Sequence, residues 1–206
     1  MIISAVFLAF ISVEPARCLS GGHNPPDDHF LVQTVSTSDR GVALARTEEL
    51  DQLYARLASK ETDEQTAEKL ISAIEMIWLE SGSQTVNFLM ERVLAATRSQ
   101  NYDLSIKILA KVTEIAPDYA EGWNQLAVAY YLSENYDHTL PPLLRALALE
   151  RRHFKAIEGY GVLMREMNNK RAALSAFRRA LTINPHSASA REAEAELSRE
   201  IDGQGI

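Results

Sequence analysis

The side chains in this sequence with the most suggestive chemistry are His23, Asp27, Asp28 and His29. Imidazoles and carboxylates in one short stretch are the ligand types of a zinc or other divalent-metal site. Their setting works against that use, because Pro25-Pro26 interrupts the stretch and a flexible segment does not hold a tetrahedral ligand set by itself. No metal site is therefore assigned, and no cofactor is expected. Cys18 is the only cysteine, so no disulfide or paired-thiol redox centre can form within one chain. The His-Glu-x-x-His, Gly-x-x-x-x-Gly-Lys and Gly-x-Ser-x-Gly motifs are absent, and the histidines are scattered. Catalysis requires converging groups, so the sequence reads as non-enzymatic; a cluster of acids or bases in a pocket would reverse that. The densest cationic patch is Arg151-Arg152-His153 with Lys155 beside it. It is either an anion-contacting surface or a solvated loop.

The chain as a whole frames these residues. It has 206 residues with a net charge of −7, 46% apolar and 24% charged. That is ordinary for one globular domain and lacks the basic surface of a nucleic-acid binder. Ile2 to Val13 is an apolar run, shorter than the roughly 20 residues that span a bilayer. With Ala16 and Ser20 following, residues 1–20 read as a secretory signal peptide and the protein as exported to the periplasm. No Lys or Arg precedes the run, Arg17 being the first. An uncleaved inner-membrane anchor and a misplaced start with a cytoplasmic protein are the alternatives. Arg17 also breaks the small-residue pattern that a lipidated Cys18 would need.

Positioning falls to helices, since strand-like alternation is nearly absent after Leu44. Residues 21–46, with Gly21-Gly22, Pro25-Pro26 and a polar Gln33–Arg40 stretch, read as a disordered linker. Leu50, Leu53, Tyr54 and Leu57 form one helical stripe, and Leu70, Ile74, Ile77 and Trp78 another. Thr62 with Gln65 resembles a capping box, and Gly82 suits a helix stop. Beyond it a 34-residue period runs three times, over 86–119, 120–153 and 154–187. The middle copy carries Trp123, Leu126-Ala127, Tyr130, Leu143 and Ala146; the third carries Gly161, Ala173, Phe177, Ala180 and Pro185. The first aligns through Leu89, Val93, Ala96, Leu109, Val112 and Pro117. Asn101 is expected to cap a second helix, and Asp118 with Glu121 the following first helix. Pro141-Pro142 implies a late helix start after Thr139 or a kink. Residues 188–206, with Ala190, Ala193, Leu197 and Ile201 on a charged helix, read as a terminal cap and tail.

These signatures resemble the tetratricopeptide repeat family, and more narrowly the short exported members of alphaproteobacteria. The resemblance implies an all-α right-handed solenoid of helix–turn–helix units, with residues 47–85 as an N-terminal cap or degenerate repeat. Two departures stand out. Glu75 occupies a position where the family has a large apolar residue, and Arg151 one where it usually has proline, which implies a looser turn between repeats two and three.

The family's use of the first helices to line a concave groove implies a partner site here. It comprises Asn87, Met90 and Leu94; Glu121, Asn124, Val128 and Tyr131; and Lys155, Glu158, Val162 and Arg165. Val128 and Val162 could equally complete the packing between first helices. At the positions of the family's carboxylate clamp stand Met90, Leu94, Gln125, Lys155 and Gly159, of which only Lys155 fits. The resulting expectation is a protein-interaction scaffold of the bacterial cell envelope that takes a peptide or protein in its groove. A self-associating structural element and a membrane-tethered assembly factor are the alternatives.

Overall fold

The computed structural model describes residues 37–203, and every regular element among them is helical. Helices α1 (Thr37–Leu57) and α2 (Glu64–Leu79) form an N-terminal pair. Three further pairs follow: α3 (Gln84–Arg98) with α4 (Tyr102–Ile115), α5 (Ala120–Leu132) with α6 (Leu140–Leu149), and α7 (Phe154–Glu166) with α8 (Lys170–Ile183). Helix α9 (Ala188–Gly203) packs on α8. From α3 onward each helix packs on the next, so the all-α helix–turn–helix solenoid expected from the period is the observed fold.

The period is written into the backbone as well as the side chains. Gln100, Glu134 and Asn168, spaced by 34 residues, all adopt left-handed conformations with φ near 60° (59, 60 and 58°). Each ends a first helix, and the N–H of the next residue reaches back across the turn: Asn101 to Ala96, Asn135 to Tyr130 and Asn169 to Met164. This is the Schellman arrangement, which satisfies carbonyls that a helix end leaves open. The side chains of Asn101 and Asn169 then cap α4 and α8 by accepting from Leu104 N–H and Ala172 N–H.

A second periodic tie joins repeats. The Arg145 guanidinium donates to the Pro117 carbonyl at 3.2 Å, and Arg179, 34 residues on, to the Arg151 carbonyl at 2.6 Å. Arg151 therefore does not loosen its turn as its departure from proline implied. The interaction uses the backbone oxygen, which any residue supplies.

Small residues set the close approaches. A Cβ added at Gly161 would lie 3.0 Å from the Phe177 ring, and one at Gly122 2.9 Å from Tyr119 and Val112. Ala173 and Phe177 bury in the same core as Ala190, Ala193 and Leu197 of α9, which thus covers the last apolar face.

Several local expectations are corrected. The linker read over 21–46 ends by residue 36, since α1 starts at Thr37; Val42-Ala43-Leu44-Ala45 continues the helix N-terminally with no proline to stop it. The cap of α2 is Asp63, which accepts from Thr66 N–H, not Thr62, whose hydroxyl donates to Arg56 O. Helix α2 ends at Leu79, ahead of Gly82, which takes φ +77° in the loop to α3. Tyr119, not Asp118, occupies the N-cap of α5. Helix α6 starts late, after a 3₁₀ turn at Tyr136–His138, with Pro141-Pro142 in its first turn where missing N–H groups cost nothing. The signal-peptide reading, Cys18 and the His23–His29 cluster lie outside the described residues.

Candidate interaction site

The first helices of the repeats begin at equivalent positions, Tyr119, His153 and Ser187, and the three residues meet their caps differently. Ser187 Oγ accepts from Ala190 N–H at 3.2 Å. His153 does the same with its ring, Nδ1 accepting from Ala156 N–H at 3.2 Å. A ring nitrogen that accepts carries no proton, so the proton of the neutral imidazole is on Nε2. Nε2 donates to Glu121 Oε2 at 2.7 Å, with His153 fully buried and Glu121 6% exposed.

The Glu121 carboxylate is further held by Gln125 Nε2 at 2.6 Å and Asn124 Nδ2 at 3.2 Å. Burial opposes its ionisation. The bonds from His153 and Gln125, with the charge of Lys155, outweigh that and hold the carboxyl below its ordinary range.

The N-terminal helix pair lies on this constellation. Trp78 of α2 stacks on the His153 ring at 3.8 Å and 16°, and meets Phe154 at 4.9 Å. Glu75, one turn earlier, pairs with Lys155 at 2.5 Å with both side chains under a fifth exposed. Asp51 of α1 pairs with Arg152 at 2.7 Å, and the Arg152 guanidinium sits 4.3 Å above the Tyr54 ring. Tyr119 Oη donates to Leu79 O at 2.8 Å, and Arg46 donates to the carbonyls of Ile77 and Glu80 at the end of α2. Leu50, Tyr54, Leu57, Ile74, Trp78 and Phe154 share one apolar core, with Ile183 at its margin. Tyr54 Oη and Trp78 Nε1 are buried in it with no hydrogen-bond partner among the described residues.

Residues 47–85 were expected to stack ahead of repeat one as a cap or degenerate repeat. They instead reach to repeats two and three. Glu75, an anomaly for a repeat, is the charge that meets Lys155. The basic run is likewise no free solvated loop: Arg152 and His153 are bonded inside the protein, while Arg151 is exposed.

The expected groove residues divide by chemistry. Glu121, Asn124 and Lys155 are brought together around His153. Glu158 accepts from Ser189 Oγ of α9 at 3.1 Å, and burial raises its carboxyl above the ordinary range against those serine bonds. Arg165 pairs with Glu196 of α9 at 3.4 Å. Asn87 Oδ1 accepts from Ser81 Oγ at 2.6 Å and orders the loop before α3. Val128, Tyr131 and Val162 belong to the core shared with α9, Met90 to that of repeat one, and Leu94 is half-buried. Burial, with Glu166 nearby, pushes the Tyr131 phenol up to about 12. His153 and Trp78 were missed as site residues. The signal was present, an acid in an apolar slot and a basic run, but nothing in one dimension joined the two.

Among the described residues, no helix is long and apolar enough to cross a membrane. No family model matches the chain. A TPR repeat-containing protein of Rhizobium etli is 29% identical over 171 residues, 83% of this chain and 83% of that protein. Among solved structures, the first TPR of Spaghetti (RPAP3), bound to the HSP90 peptide SRMEEVD, superposes with a TM-score of 0.56. It is 21% identical and covers 58% of this chain and 95% of that one. The Arabidopsis OM64 TPR domain gives 0.53 at 18% identity, over 55% of this chain and 94% of that one. The periodic turns, the helix order and these likenesses together identify the chain as a tetratricopeptide repeat protein.

Proposed function

We propose that this protein is a non-enzymatic protein-interaction scaffold that receives a peptide or protein along the first helices of its repeats. The observation that carries the reading is the solenoid itself, with α3, α5 and α7 presenting equivalent positions in succession. A neighbour of the same fold is bound to a peptide. That neighbour's HSP90 peptide does not transfer: Gln125 is committed to Glu121 and Met90 is buried. The His153–Glu121 pair has the groups of an acid–base dyad but is sealed from solvent, which favours a structural role over catalysis. Placement in the bacterial cell envelope is part of the proposal and rests on the signal-like residues 1–20.

The test is crosslinking in cells of the C-terminally tagged protein followed by mass spectrometry, wild type beside Leu94→Glu/Arg165→Glu. Both side chains are half-buried rather than sealed, so they can be changed with the fold retained. Discrete partners lost in the variant support the groove. Partners that all persist on a folded variant remove it. Recovery of the protein alone favours the self-associating alternative, and a reporter fused behind residue 46 tests export.

A further inference from the structure

We propose that α1 and α2 act as a ligand held in cis: the surface formed by Tyr119, Arg152, His153, Phe154 and Lys155 is a docking site for an acidic helix bearing a tryptophan, and a partner of that pattern engages the protein by displacing α2. The proposal rests on the groove reading above and specifies its partner chemistry at one end of the groove, where Glu121 and Lys155 lie.

The contacts across this boundary are those of a recognition interface. A central aromatic anchor, Trp78, is flanked by two charge pairs of matching sense, acids on the N-terminal pair and bases on the repeats. Buried tryptophan at the centre with ionic specificity around it is the pattern of a binding hot spot. The anchor lies on a prepared platform. His153 cannot rotate without losing both its cap to Ala156 and its bond to Glu121, so the face offered to Trp78 is fixed before docking.

The occupant also differs from the repeats it covers. Helix α2 packs on α5 rather than only on its sequence neighbours, and it is joined to α3 by the short loop Glu80–Ser83, whose Gly82 is left-handed. Two of its polar atoms, Trp78 Nε1 and the facing Tyr54 Oη, have no partner among the described residues. Unpaired buried donors lower the gain from docking, which suits a segment that must leave. The recognition element read from α2 is Glu-x-x-Trp on one helical face, Glu75 and Trp78 being one turn apart.

A short tether places a cis ligand at an effective concentration in the millimolar range, so a competitor at micromolar concentration is excluded until the cis contact is weakened. The probe is a fluorescent peptide of residues 44–80, titrated into the full chain and its variants. The wild-type chain should bind it at least about tenfold more weakly than the Glu75→Lys chain, where the latch is repelled from Lys155. A Glu75→Lys peptide should fail on that chain but bind a chain carrying Glu75→Lys with Lys155→Glu no better than the cis helix allows, and bind Lys155→Glu alone. Trp78→Ala in the chain is the second unlatched variant, with circular dichroism to establish that the repeats remain helical.

Equal binding to wild-type and unlatched chains overturns the proposal, as does no binding to an unlatched chain that is still folded. So does concentration-dependent dimerisation of the Glu75→Lys chain that excludes the peptide, since the occupant is then a second copy. These titrations read the patch directly, so they can fail while the crosslinking test of the groove succeeds, and the reverse.

Discussion

His153 and Glu121 lie 32 residues apart in sequence and 2.7 Å apart in the folded protein, and they link the starts of two successive repeats. The histidine caps its own helix with one nitrogen and holds the preceding helix with the other. Replacing Glu121 by Ala leaves the Nε2–H of a fully buried ring unpaired and should cost about 1–3 kcal/mol in urea unfolding at neutral pH.

The same pair sets an acid limb to stability. Glu121 is held below its ordinary value of 4.5 in the folded protein, so the unfolded chain takes up that proton first as the pH falls. The pair's contribution is complete above the ordinary value and is lost as pH falls through the depressed folded value. Urea midpoints measured from pH 7 to pH 3 should fall less steeply for Glu121→Gln than for wild type.

Glu158 titrates with the opposite sign. Burial raises its carboxyl, so above the raised folded value its ionised form opposes folding, and the penalty lifts as pH falls through it. Glu158→Gln, which keeps an acceptor for Ser189, should raise the urea midpoint at pH 7. The advantage should shrink on acidification.

Gly161 and Phe177 form the closest helix contact in repeat three. A helical Gly→Ala change ordinarily stabilises by about 0.5–1 kcal/mol. Here Gly161→Ala should destabilise instead, by about 1–3 kcal/mol, because the ring has to shift. Phe177→Ala should cost about 3–5 kcal/mol. Combining Gly161→Ala with Phe177→Leu should be less costly than the sum of the single changes, which a double-mutant cycle checks.

The left-handed turns offer a stabilising series. Gln100 and Glu134 adopt positive φ without being glycine, at a cost of order 1 kcal/mol each. Gln100→Gly and Glu134→Gly should each raise thermal stability by about 0.5–1 kcal/mol. Asn168→Gly should gain less, since asparagine tolerates this conformation. Gly82→Ala, at φ +77°, should do the reverse.

The repeats were legible because their information is periodic and local. Leu126, Ala127, Leu143 and Ala146 recur in register with Gly161, Ala173, Phe177 and Ala180, and that pattern carries the helix pairs and their order. Helix ends were read less well. Asn101 capped as expected, but Asp118 did not, because Tyr119 took the cap position to reach Leu79 and Glu121 turned to His153. Local capping preference is worth only about 1 kcal/mol, and a buried long-range bond overrides it.

What the sequence alone determined is therefore the helical solenoid and the places where it departs from its own pattern, notably Glu75 and the Arg151–Lys155 run. A period of 34 residues brings each unit's apolar face to its neighbour without reference to anything distant. Only the tertiary structure decided that these departures face one another, that Trp78 lies on His153, and that much of the expected groove is already bonded within the chain. Those facts depend on where the loop at Glu80–Ser83 sends α2. That direction follows from the summed packing and charge pairing of residues far apart in the chain, for which no local spacing rule exists.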